Sequence, residues 1–485
     1  MADKVKESLG ITAKKQDNFG EWYTQVVNKA GLIEYTGVSG CLILRPYAYS
    51  IWESIVSFID KEIKERGVQN GYFPLLIPEK NLQKEASHVE GFTPEVAWVT
   101  KAGDAELPEK LAVRPTSETI MYEAYKKWIR SYRDLPLRIN QWNNVVRWEF
   151  KHPMPFLRTR EFLWQEGHTA FASKEDAEQE VRDILENVYD KTVSELLAIP
   201  ALLGYKSEKE KFAGALYTTS GEVLLPNGKA IQGFTSHCLG QNFARAFDIT
   251  YTDENKEEAY VWQNSWGFTT RTIGIMLMLH GDDKGLVMPP KIAPVQVVIV
   301  PIIFKGKEEQ VMQKVKELYE RLQECARVKL DDRDEHNPGY KYNEWDLKGV
   351  PLRIEVGPRD VEAGSVVVRR RDTGEKVQVK QDELLEHVQS QLVAMQSEMF
   401  KKAKDMGDSM VVESDNINEM TQYVKHGKVV LAPFCNNPAC EEKIKELSGG
   451  AKSLNIPFNQ PELQDRKCMQ CGEDASCVCY FGKSY

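Results

Sequence analysis

The sequence has no long hydrophobic run and no excess of positive charge. Its longest apolar stretches, 273–279 and 295–304, fall far short of the roughly 20 residues that a membrane helix needs, so we expect no transmembrane segment. Lys and Arg total 63 against 72 Asp and Glu, a net charge of −9, which excludes a uniformly basic surface for holding nucleic acid. Any nucleic-acid partner must contact local basic patches. Residues 1–15 lack the apolar core of a secretory signal, so we expect a cytoplasmic protein.

Cysteine is scarce until the last tenth of the chain. Three of the nine cysteines stand alone, and the other six are Cys435, Cys440, Cys468, Cys471, Cys477 and Cys479. Without a signal peptide, such a cluster predicts metal binding before disulfides. The C-x4-C and C-x2-C pairs, Cys435 with Cys440 and Cys468 with Cys471, can surround Zn²⁺ tetrahedrally in a structural site. Cys477 and Cys479 are a competing pair, and a reduced cluster without metal is the alternative.

The length of 485 residues and the 42% hydrophobic content predict several domains with substantial cores. Apolar residues four apart predict a helix over 51–66, and a charged periodic segment predicts a long helix over 174–197. Short apolar runs predict strands at 72–77, 144–150, 162–171 and 260–262. The first 285 residues therefore indicate an α+β domain with antiparallel strands.

Three prolines within 286–294 interrupt both periodicities and predict a domain boundary. Strands at 295–301, 328–330, 352–356 and 365–370, with a helix at 308–325, then alternate as in an α/β domain. A helix over 381–405 leads into the cysteine-bearing segment. We predict domains at 1–288, 289–400 and 401–485.

Nucleotide chemistry is indicated by Arg147-x-Glu149 and, after a loop, Arg158-x-x-x-Phe162. Predicted on adjacent strands, these residues offer guanidinium groups to phosphates, a carboxylate to an exocyclic amine and a ring to a base. The alternative is an exposed hairpin with surface salt bridges.

The same residues resemble motif 2 of the class II aminoacyl-tRNA synthetases. Residues 66–76 resemble motif 1, the dimer interface, although Gly71 stands where that family usually has an apolar residue, and 266–274 resemble motif 3. Segments 114–119, 164–168 and 280–286 resemble the prolyl-tRNA synthetases of archaeal and eukaryotic cytosolic type, from about residue 17 to Tyr485. The resemblance implies an antiparallel sheet core with flanking helices, an α/β anticodon-binding domain and a small α/β zinc domain.

For ATP with Mg²⁺, the resemblance implies that Arg147 binds the α-phosphate and the prolyl carboxylate. Glu149 and Phe162 would bind adenine, and Arg158 and Arg271 would bind the γ-phosphate side. Gln232 and Thr235 would lie on the segment that reaches the ATP ribose. The catalytic residues would be Arg147 and Arg271. Because attack of a carboxylate on phosphorus needs charge stabilisation rather than a protein nucleophile, the absence of an obvious nucleophile is expected.

For proline, the resemblance implies a pocket whose carboxylates and hydroxyls accept from the secondary ammonium and whose rings enclose the pyrrolidine. Its residues would be Thr116, Glu118, Arg147, Trp164, Glu166, His168, Phe212 and His237. Phe92 and Glu95 would belong to a loop that closes over the site. Ordinary core packing is the alternative for each tryptophan, phenylalanine and histidine taken alone.

For tRNA, the resemblance implies anticodon contacts from the α/β domain, with Glu355, Arg359, Asp360, Arg369 and Arg370 as candidates for guanine edges and phosphates. A solvated turn between strands is the alternative. The resemblance also favours Cys435, Cys440, Cys468 and Cys471 as the zinc ligands. It further implies that the terminal tyrosine, Tyr485, folds back toward the first domain.

The predicted function is therefore proline–tRNA ligation by a homodimer, from L-proline, ATP and tRNA(Pro), without membrane association. Only 170–258 separate motifs 2 and 3, so we expect no editing insertion. The sequence leaves open a larger multi-synthetase assembly and a native N-terminal extension. The alternatives are a class II synthetase for threonine, serine or glycine, and a tRNA-binding paralogue without activity.

Overall fold

The protein is described by a computed structural model, which covers residues 10–82, 95–463 and 465–485. The α-helices with described bounds are α1 (Phe19–Lys29), α2 (Pro46–Glu65), α3 (Glu118–Trp128), α4 (Lys174–Asp183), α5 (Asn242–Phe247), α6 (Arg271–His280), α7 (Glu308–Leu322), α8 (Pro338–Leu347), α9 (Pro358–Glu362), α10 (Leu384–Met410), α11 (Ile417–Lys425) and α12 (Pro438–Leu447). Within these ranges no helix is both long and apolar enough to cross a membrane.

The strands follow the same chain order, and most of them are short. They are β1 (Ile33–Tyr35), β2 (Leu42–Leu44), β3 (Gln69–Asn70), β4 (Leu76–Pro78), β5 (Trp98–Ala102), β6 (Ala105–Val113), β7 (Leu137–Val146), β8 (Glu161–Phe171), β9 (Leu202–Tyr205), β10 (Tyr217–Leu224), β11 (Lys229–Gly240), β12 (Thr250–Thr252), β13 (Glu258–Tyr260), β14 (Trp262–Thr269), β15 (Val297–Pro301), β16 (Val328–Leu330), β17 (Leu352–Val356), β18 (Ser365–Arg370), β19 (Lys376–Lys380), β20 (Val411–Glu413), β21 (Val429–Phe434), β22 (Lys452–Ser453), β23 (Ile456–Pro457) and β24 (Cys477–Ser484).

The helix predicted for 51–66 is confirmed as α2, which starts five residues earlier with Pro46 at its first position. Ile51, Ile55, Ile59 and Ile63 line its buried face. The helix predicted for 174–197 is also confirmed. It is α4, which continues through π-helical turns at Ile184–Asp190 and Thr192–Leu196.

A large antiparallel sheet carries β7, β8, β14, β11 and β10 as consecutive neighbours. Its register places Glu166 of β8 opposite Gly267 of β14, and His237 of β11 opposite Ser265. Alternate residues of a strand face the same side of the sheet. Ser265 and Gly267 are two apart on β14, so Glu166 and His237, which lie opposite them, share one face of the sheet. The helices α2 and α6 contribute apolar side chains to the main core, together with Trp266 and Phe268 of β14.

Three strand predictions need correction. The strand predicted for 144–150 ends at Val146: the Arg147 amide makes one more bond in register with β8, to the Arg160 carbonyl (2.7 Å), and the Trp148 amide then bonds the Glu95 carbonyl (3.0 Å) instead. Arg147 therefore directly follows the strand, and Glu149 lies in a turn. Of 72–77, only the end joins β4, and the run at 260–262 is divided between β13 and β14.

The α/β region has the predicted alternation. Its five-stranded sheet has the order β16-β15-β17-β18-β19, in which β15 is parallel to β16 and β17. The predictions at 328–330, 352–356 and 365–370 agree with β16, β17 and β18 residue for residue. The helix α10 then leads to the cysteine-bearing region.

The last strand, β24, joins that region to the central sheet. It pairs antiparallel with β21 and parallel with β11, where Lys229 lies opposite Lys483 and Ala230 opposite Ser484. The sequence analysis did not predict this continuity, since both partners in the short parallel pairing lack a distinctive pattern.

Candidate active site and cysteine cluster

A cavity of about 220 Å³ opens on one face of the central sheet. Thirteen of the predicted ATP and proline residues line it: Thr116, Glu118, Arg147, Glu149, Phe162, Trp164, Glu166, His168, Phe212, Gln232, Thr235, His237 and Arg271. Arg158 is exposed and is not among the lining residues, and neither is Glu95. Phe92 lies outside the described residues.

Two guanidinium groups occupy one end of this cavity. Arg147 donates from Nε to the Pro115 carbonyl (3.0 Å), and its guanidinium carbon lies 5.5 Å from the centre of the Phe162 ring. Arg271, the first residue of α6, donates to the carbonyls of Leu157 (3.2 Å) and Gln232 (3.3 Å). Within the described residues, neither forms an ion pair with a carboxylate.

The charge of Arg271 is held in an unfavourable environment. Burial, with the positive charges of Arg147 and Arg158 adding to it, lowers the pKa of Arg271 to about 10. An anion that entered between these arginines would remove the repulsion. This end of the cavity is therefore arranged for a polyanion such as a triphosphate.

The cavity also contains a buried carboxylate, Glu166. It accepts from the Ser117 amide (3.1 Å), from Asn143 Nδ2 (2.7 Å) and from Gln141 Nε2 (3.2 Å), and its other described partners are Ser117 Oγ and His168 Nε2. Burial alone would raise the pKa of Glu166, but the bonds from His168, Ser117 and Asn143 outweigh burial and lower it. Glu166 is therefore held as a carboxylate.

The pKa values of His168 and His237 are shifted in opposite directions although both residues line the cavity. Burial would lower the pKa of His168, but Glu118 and Glu166 outweigh it and raise the pKa. Burial, assisted by the charges of His168 and Arg147, lowers the pKa of His237 to about 3. Neutral His237 is bonded through Nδ1 to Thr218 Oγ1 (2.9 Å) and lies 4.9 Å from the Phe212 ring centre.

Acceptors for a cation converge beside these histidines. Thr116 Oγ1 donates to Glu118 over a short contact, and one ligand atom each of Glu118, Glu166 and His168 lie within 4.8 Å of one another. That spacing suits either a metal ion or an organic ammonium. The bonds from Ser117, Gln141 and Asn143 hold Glu166 in place and use part of its acceptor capacity.

Sequence reasoning missed the residues that position Glu166. Gln141 and Asn143 are two apart on β7 and so share a face, and a polar pair in a mostly buried strand is a signal that could have found them. It also missed Trp266, which covers Gly167 on β8. A Cβ atom at Gly167 would lie 2.3 Å from the Trp266 ring, so glycine is required there.

The anticodon candidates do not all lie together. Glu355 is buried and accepts from Arg353 (2.9 Å) and Lys376 (3.0 Å). Arg369 pairs with Asp346 (2.6 Å), whereas its neighbour Arg370 bonds Asp372 and Glu398. Consecutive strand residues face opposite sides, which explains the separation of Arg369 from Arg370.

The other two candidates lie on α9, the short helix that follows β17. Arg359 is exposed, and Asp360 accepts from the Gly357 amide (2.8 Å) at the start of that helix. An exposed arginine is available to a partner, whereas Asp360 already caps its own helix.

Four cysteine sulfurs converge in the C-terminal region. The Sγ atoms of Cys435, Cys440, Cys468 and Cys471 all lie within 4.8 Å of one another, and those of Cys435 and Cys471 are 3.9 Å apart. A tetrahedral site with Zn–S bonds of about 2.3 Å requires sulfurs roughly 3.8 Å apart. The sulfurs of Cys477 and Cys479 contact the carbonyls of Phe434 (3.6 Å) and Asn455 (3.4 Å) instead.

The chain end lies against the central sheet. The Tyr485 amide donates to the Ala230 carbonyl (3.1 Å), and its hydroxyl accepts from Asn227 Nδ2 (2.8 Å). Burial raises the pKa of the Tyr485 hydroxyl. Tyr485 thus folds back on the region that the sequence analysis treats as the first domain.

Three family models match the chain in sequence order. Residues 98–280 match the class II core domain of tRNA synthetases for G, H, P, S and T, 296–391 an anticodon-binding domain, and 417–485 the C-terminal domain of prolyl-tRNA synthetases. The first range contains most of the cavity described above. Fold and site together define a class II aminoacyl-tRNA synthetase.

Curated relatives narrow the class further. The chain is 50% identical to the cytoplasmic proline–tRNA ligase of Arabidopsis thaliana over 490 residues, covering 99% of this chain and 92% of that protein. It is 50% identical over 484 residues to the proline–tRNA ligase of Natranaerobius thermophilus, covering 99% and 98%. The chain belongs to the proline–tRNA ligases, which sets aside the threonine, serine and glycine alternatives.

Some relatives are longer. The bifunctional glutamate/proline–tRNA ligase of Mus musculus is 49% identical over 505 residues, which cover 99% of this chain but 33% of that protein.

Proposed function

We propose that the cavity on the central sheet is where this proline–tRNA ligase forms prolyl-adenylate, with an ATP end at Arg147 and Arg271 and a proline end at Glu118 and Glu166. The observation that carries the proposal is the contrast in charge between these two groups of residues. Arg147 and Arg271 have no described ion pair with a carboxylate, whereas the carboxylates Glu118 and Glu166 converge beside His168.

The ATP end begins at Arg147, which binds the α-phosphate and the carboxylate of proline and so brings the attacking oxygen to phosphorus. Glu149 accepts from the adenine amine and Phe162 stacks on the base, while Gln232 and Thr235 lie toward the ribose. Arg271 and the exposed Arg158 take the γ-phosphate side. Class II synthetases use ATP with Mg²⁺, which supplies further charge neutralisation when bound.

The proline end binds the secondary ammonium and encloses the ring. Thr116, Glu118 and Glu166 supply acceptors, and His168 fixes the orientation of Glu166. Trp164, Phe212 and neutral His237 form the walls around the pyrrolidine. The Glu95 carbonyl accepts from the Trp148 amide (3.0 Å), which places Glu95 beside the motif 2 turn, while Phe92 lies outside the described residues.

Fixed positive charges then stabilise the transition state of the reaction. As the proline carboxylate attacks the α-phosphate, negative charge grows on the phosphoryl oxygens and pyrophosphate leaves. Arginines already held in place by backbone carbonyls stabilise that charge without reorganising. No protein nucleophile is needed, and the adenylate is then transferred to the tRNA.

Alanine at Arg147 tests this assignment. We expect Arg147→Ala to abolish proline-dependent ATP–pyrophosphate exchange while tRNA binding is retained, and the exposed Arg245→Ala serves as the matched control. Retained exchange in Arg147→Ala would remove the role assigned to Arg147.

For the cysteine cluster, we propose a structural Zn²⁺ held by Cys435, Cys440, Cys468 and Cys471. Four thiolates at this spacing leave no position for a substrate. The protein should contain one zinc per chain by elemental analysis, Cys468→Ser should lose it, and Cys325→Ser and Cys479→Ser should keep it. Zinc lost from Cys479→Ser but not from Cys468→Ser would contradict this ligand set.

For assembly, we propose a homodimer through the motif 1 region. Support comes from exposed large hydrophobic side chains within motif 1, Tyr72, Leu75 and Leu76, and in the segment before it, Tyr35, Val38, Ile43 and Tyr49. Sedimentation equilibrium should give twice the chain mass. Charged substitution at Ile43 and Tyr72 should produce monomers, and an unchanged mass would contradict the interface.

The remaining assignments are also proposals. The domains are 1–288, 289–400 and 401–485, with anticodon contacts from the exposed Arg359 first and with Glu355, Asp360, Arg369 and Arg370 as the other candidates. The tRNA is tRNA(Pro), and the short interval 170–258 supports the absence of an editing insertion. The name of the Arabidopsis relative supports a cytoplasmic location, and the bifunctional relatives suggest association with other synthetases.

A further inference from the structure

A basic cleft of about 640 Å³ lies between the turn that joins β10 to β11 and the turn that joins α11 to β21. Four of its eleven lining residues are lysines: Lys229, Lys425, Lys428 and Lys483. His426 also lines it, and no carboxylate side chain is among the described residues that do so. In a chain with nine more acidic than basic residues, this concentration of positive charge is unusual.

The lysines of the cleft remain available to a ligand. Lys428 donates to the Ser409 carbonyl (2.8 Å), and Lys229 lies 4.6 Å above the centre of the Tyr485 ring. No ion pair joins Lys425 or Lys483 to any carboxylate in the part of the chain that the structure describes. Four ammonium groups facing one concave surface produce a positive potential that attracts anions.

The backbone, not side-chain flexibility, builds this cleft. Gly228 and Gly427 have φ values of +77° and +73°, and a Cβ atom at Gly228 would lie 2.5 Å from the Gly427 Cα. Glycine at both positions lets the two turns touch. The pairing of β11 with β24 sets Lys229 opposite Lys483, so lysines from three separate segments are held together.

The strand β11 connects the cleft with the reaction cavity. It begins with Lys229 at the cleft and continues through Gln232 and Thr235, which line the cavity. At about 3.3 Å per residue, the distance from Lys229 to Gln232 along the strand is roughly 10 Å. The phosphates nearest the end of an RNA strand whose terminus lies in the cavity are therefore within reach of the cleft.

We propose that this basic cleft binds backbone phosphates of the tRNA near the end that receives proline. The proposal rests on the family assignment, which makes tRNA a substrate, and on the position of the cleft along β11. Lysine binds phosphate as a point charge and does not read bases, so the contact positions the tRNA without selecting its sequence. Free phosphate or pyrophosphate offers the same chemistry, and the experiment separates the two sources.

The test replaces the two cleft lysines whose side chains have no described hydrogen bond, ion pair or ring contact, in Lys425→Gln/Lys483→Gln. The full-length variant is assayed for aminoacylation at varied tRNA concentration and for tRNA binding between 50 and 200 mM salt. The matched control is Lys256→Gln/Lys443→Gln, which removes two exposed lysines elsewhere. We expect the KM for tRNA to rise on the order of tenfold. The slope of log K against log[salt] should become less negative by about 1.5, and both quantities should be unchanged in the control.

Proline-dependent pyrophosphate exchange, which needs no tRNA, should stay within about twofold and so reports folding. If the double variant does not fold, the single variant Lys425→Gln is tested instead, because Lys425 is exposed at the end of α11 and its replacement should not disturb folding. Its slope of log K against log[salt] should become less negative by about 0.7. An unchanged tRNA KM and salt slope would overturn the proposal. So would a loss of inhibition by added phosphate or pyrophosphate with tRNA binding intact, which would indicate a free-anion site.

Discussion

Replacing Arg271 by methionine should make the free protein more stable and less active at the same time. Arg271 is partly buried beside Arg147, and its pKa of about 10 corresponds to a cost of about 3 kcal/mol for keeping it charged. Methionine has a similar length and carries no charge, so Arg271→Met removes that cost and leaves the Leu157 and Gln232 carbonyls facing the cavity, where water reaches them.

The ligand-free variant should therefore unfold at the same temperature as the parent or about 2–5 °C higher. Binding of a non-hydrolysable ATP analogue at a hundred times its Kd should stabilise the parent by about 2.7 kcal/mol, and most of this shift should vanish in Arg271→Met. Pyrophosphate exchange should fall by about 10²- to 10³-fold, as expected when one preorganised donor to the transition state is lost.

Differential scanning fluorimetry with and without the analogue gives the first two quantities, and exchange assays give the third. Arg245→Met, an exposed arginine on α5, is the control and should change none of them by more than about twofold in rate or 1 °C in midpoint. A variant that unfolds several degrees lower and still shows the full nucleotide shift would refute the view that Arg271 is an unpaired cation waiting for a polyanion.

Two further predictions concern the proline end. Glu166→Gln should leave at least two of the described donors without an acceptor, which costs about 2–5 kcal/mol and raises the KM for proline more than that for ATP; equal effects on both would argue against the assignment. His237 is neutral in the folded state, so the unfolded chain takes up one more proton below about pH 6.5 and stability falls until pH nears 3. Between pH 7 and pH 5, the free energy of unfolding of His237→Gln should therefore fall by up to about 2 kcal/mol less than that of the parent. Thermal midpoints of both proteins at the two pH values check this.

Local patterns predicted much of the fold. The four isoleucines of α2 are spaced at one face of a helix, and the apolar runs at 328–330, 352–356 and 365–370 are short strands between polar turns, so periodicity alone located them. The resemblance to the family's motifs likewise named thirteen residues that line one cavity. These features depend on neighbours in sequence, or on motifs whose order is itself informative.

What sequence could not give depends on contacts between distant segments. The strand that precedes Arg147 goes no further because the Trp148 amide bonds to the Glu95 carbonyl, and no local pattern reports that bond. Gly167 is required by a tryptophan 99 positions later. The continuity of β24 with β11, and with it the basic cleft, arises from two residue pairs that join the chain end to the central sheet.

The measurement that tests the account most directly is ATP–pyrophosphate exchange with each of the twenty amino acids and no tRNA present. We predict exchange driven by proline, with a signal about 10- to 200-fold weaker from alanine, because an apolar pocket distinguishes small ligands by only about 1–3 kcal/mol per methylene. Exchange driven as strongly by threonine, serine or glycine, or no exchange with proline, would contradict the proposed pocket.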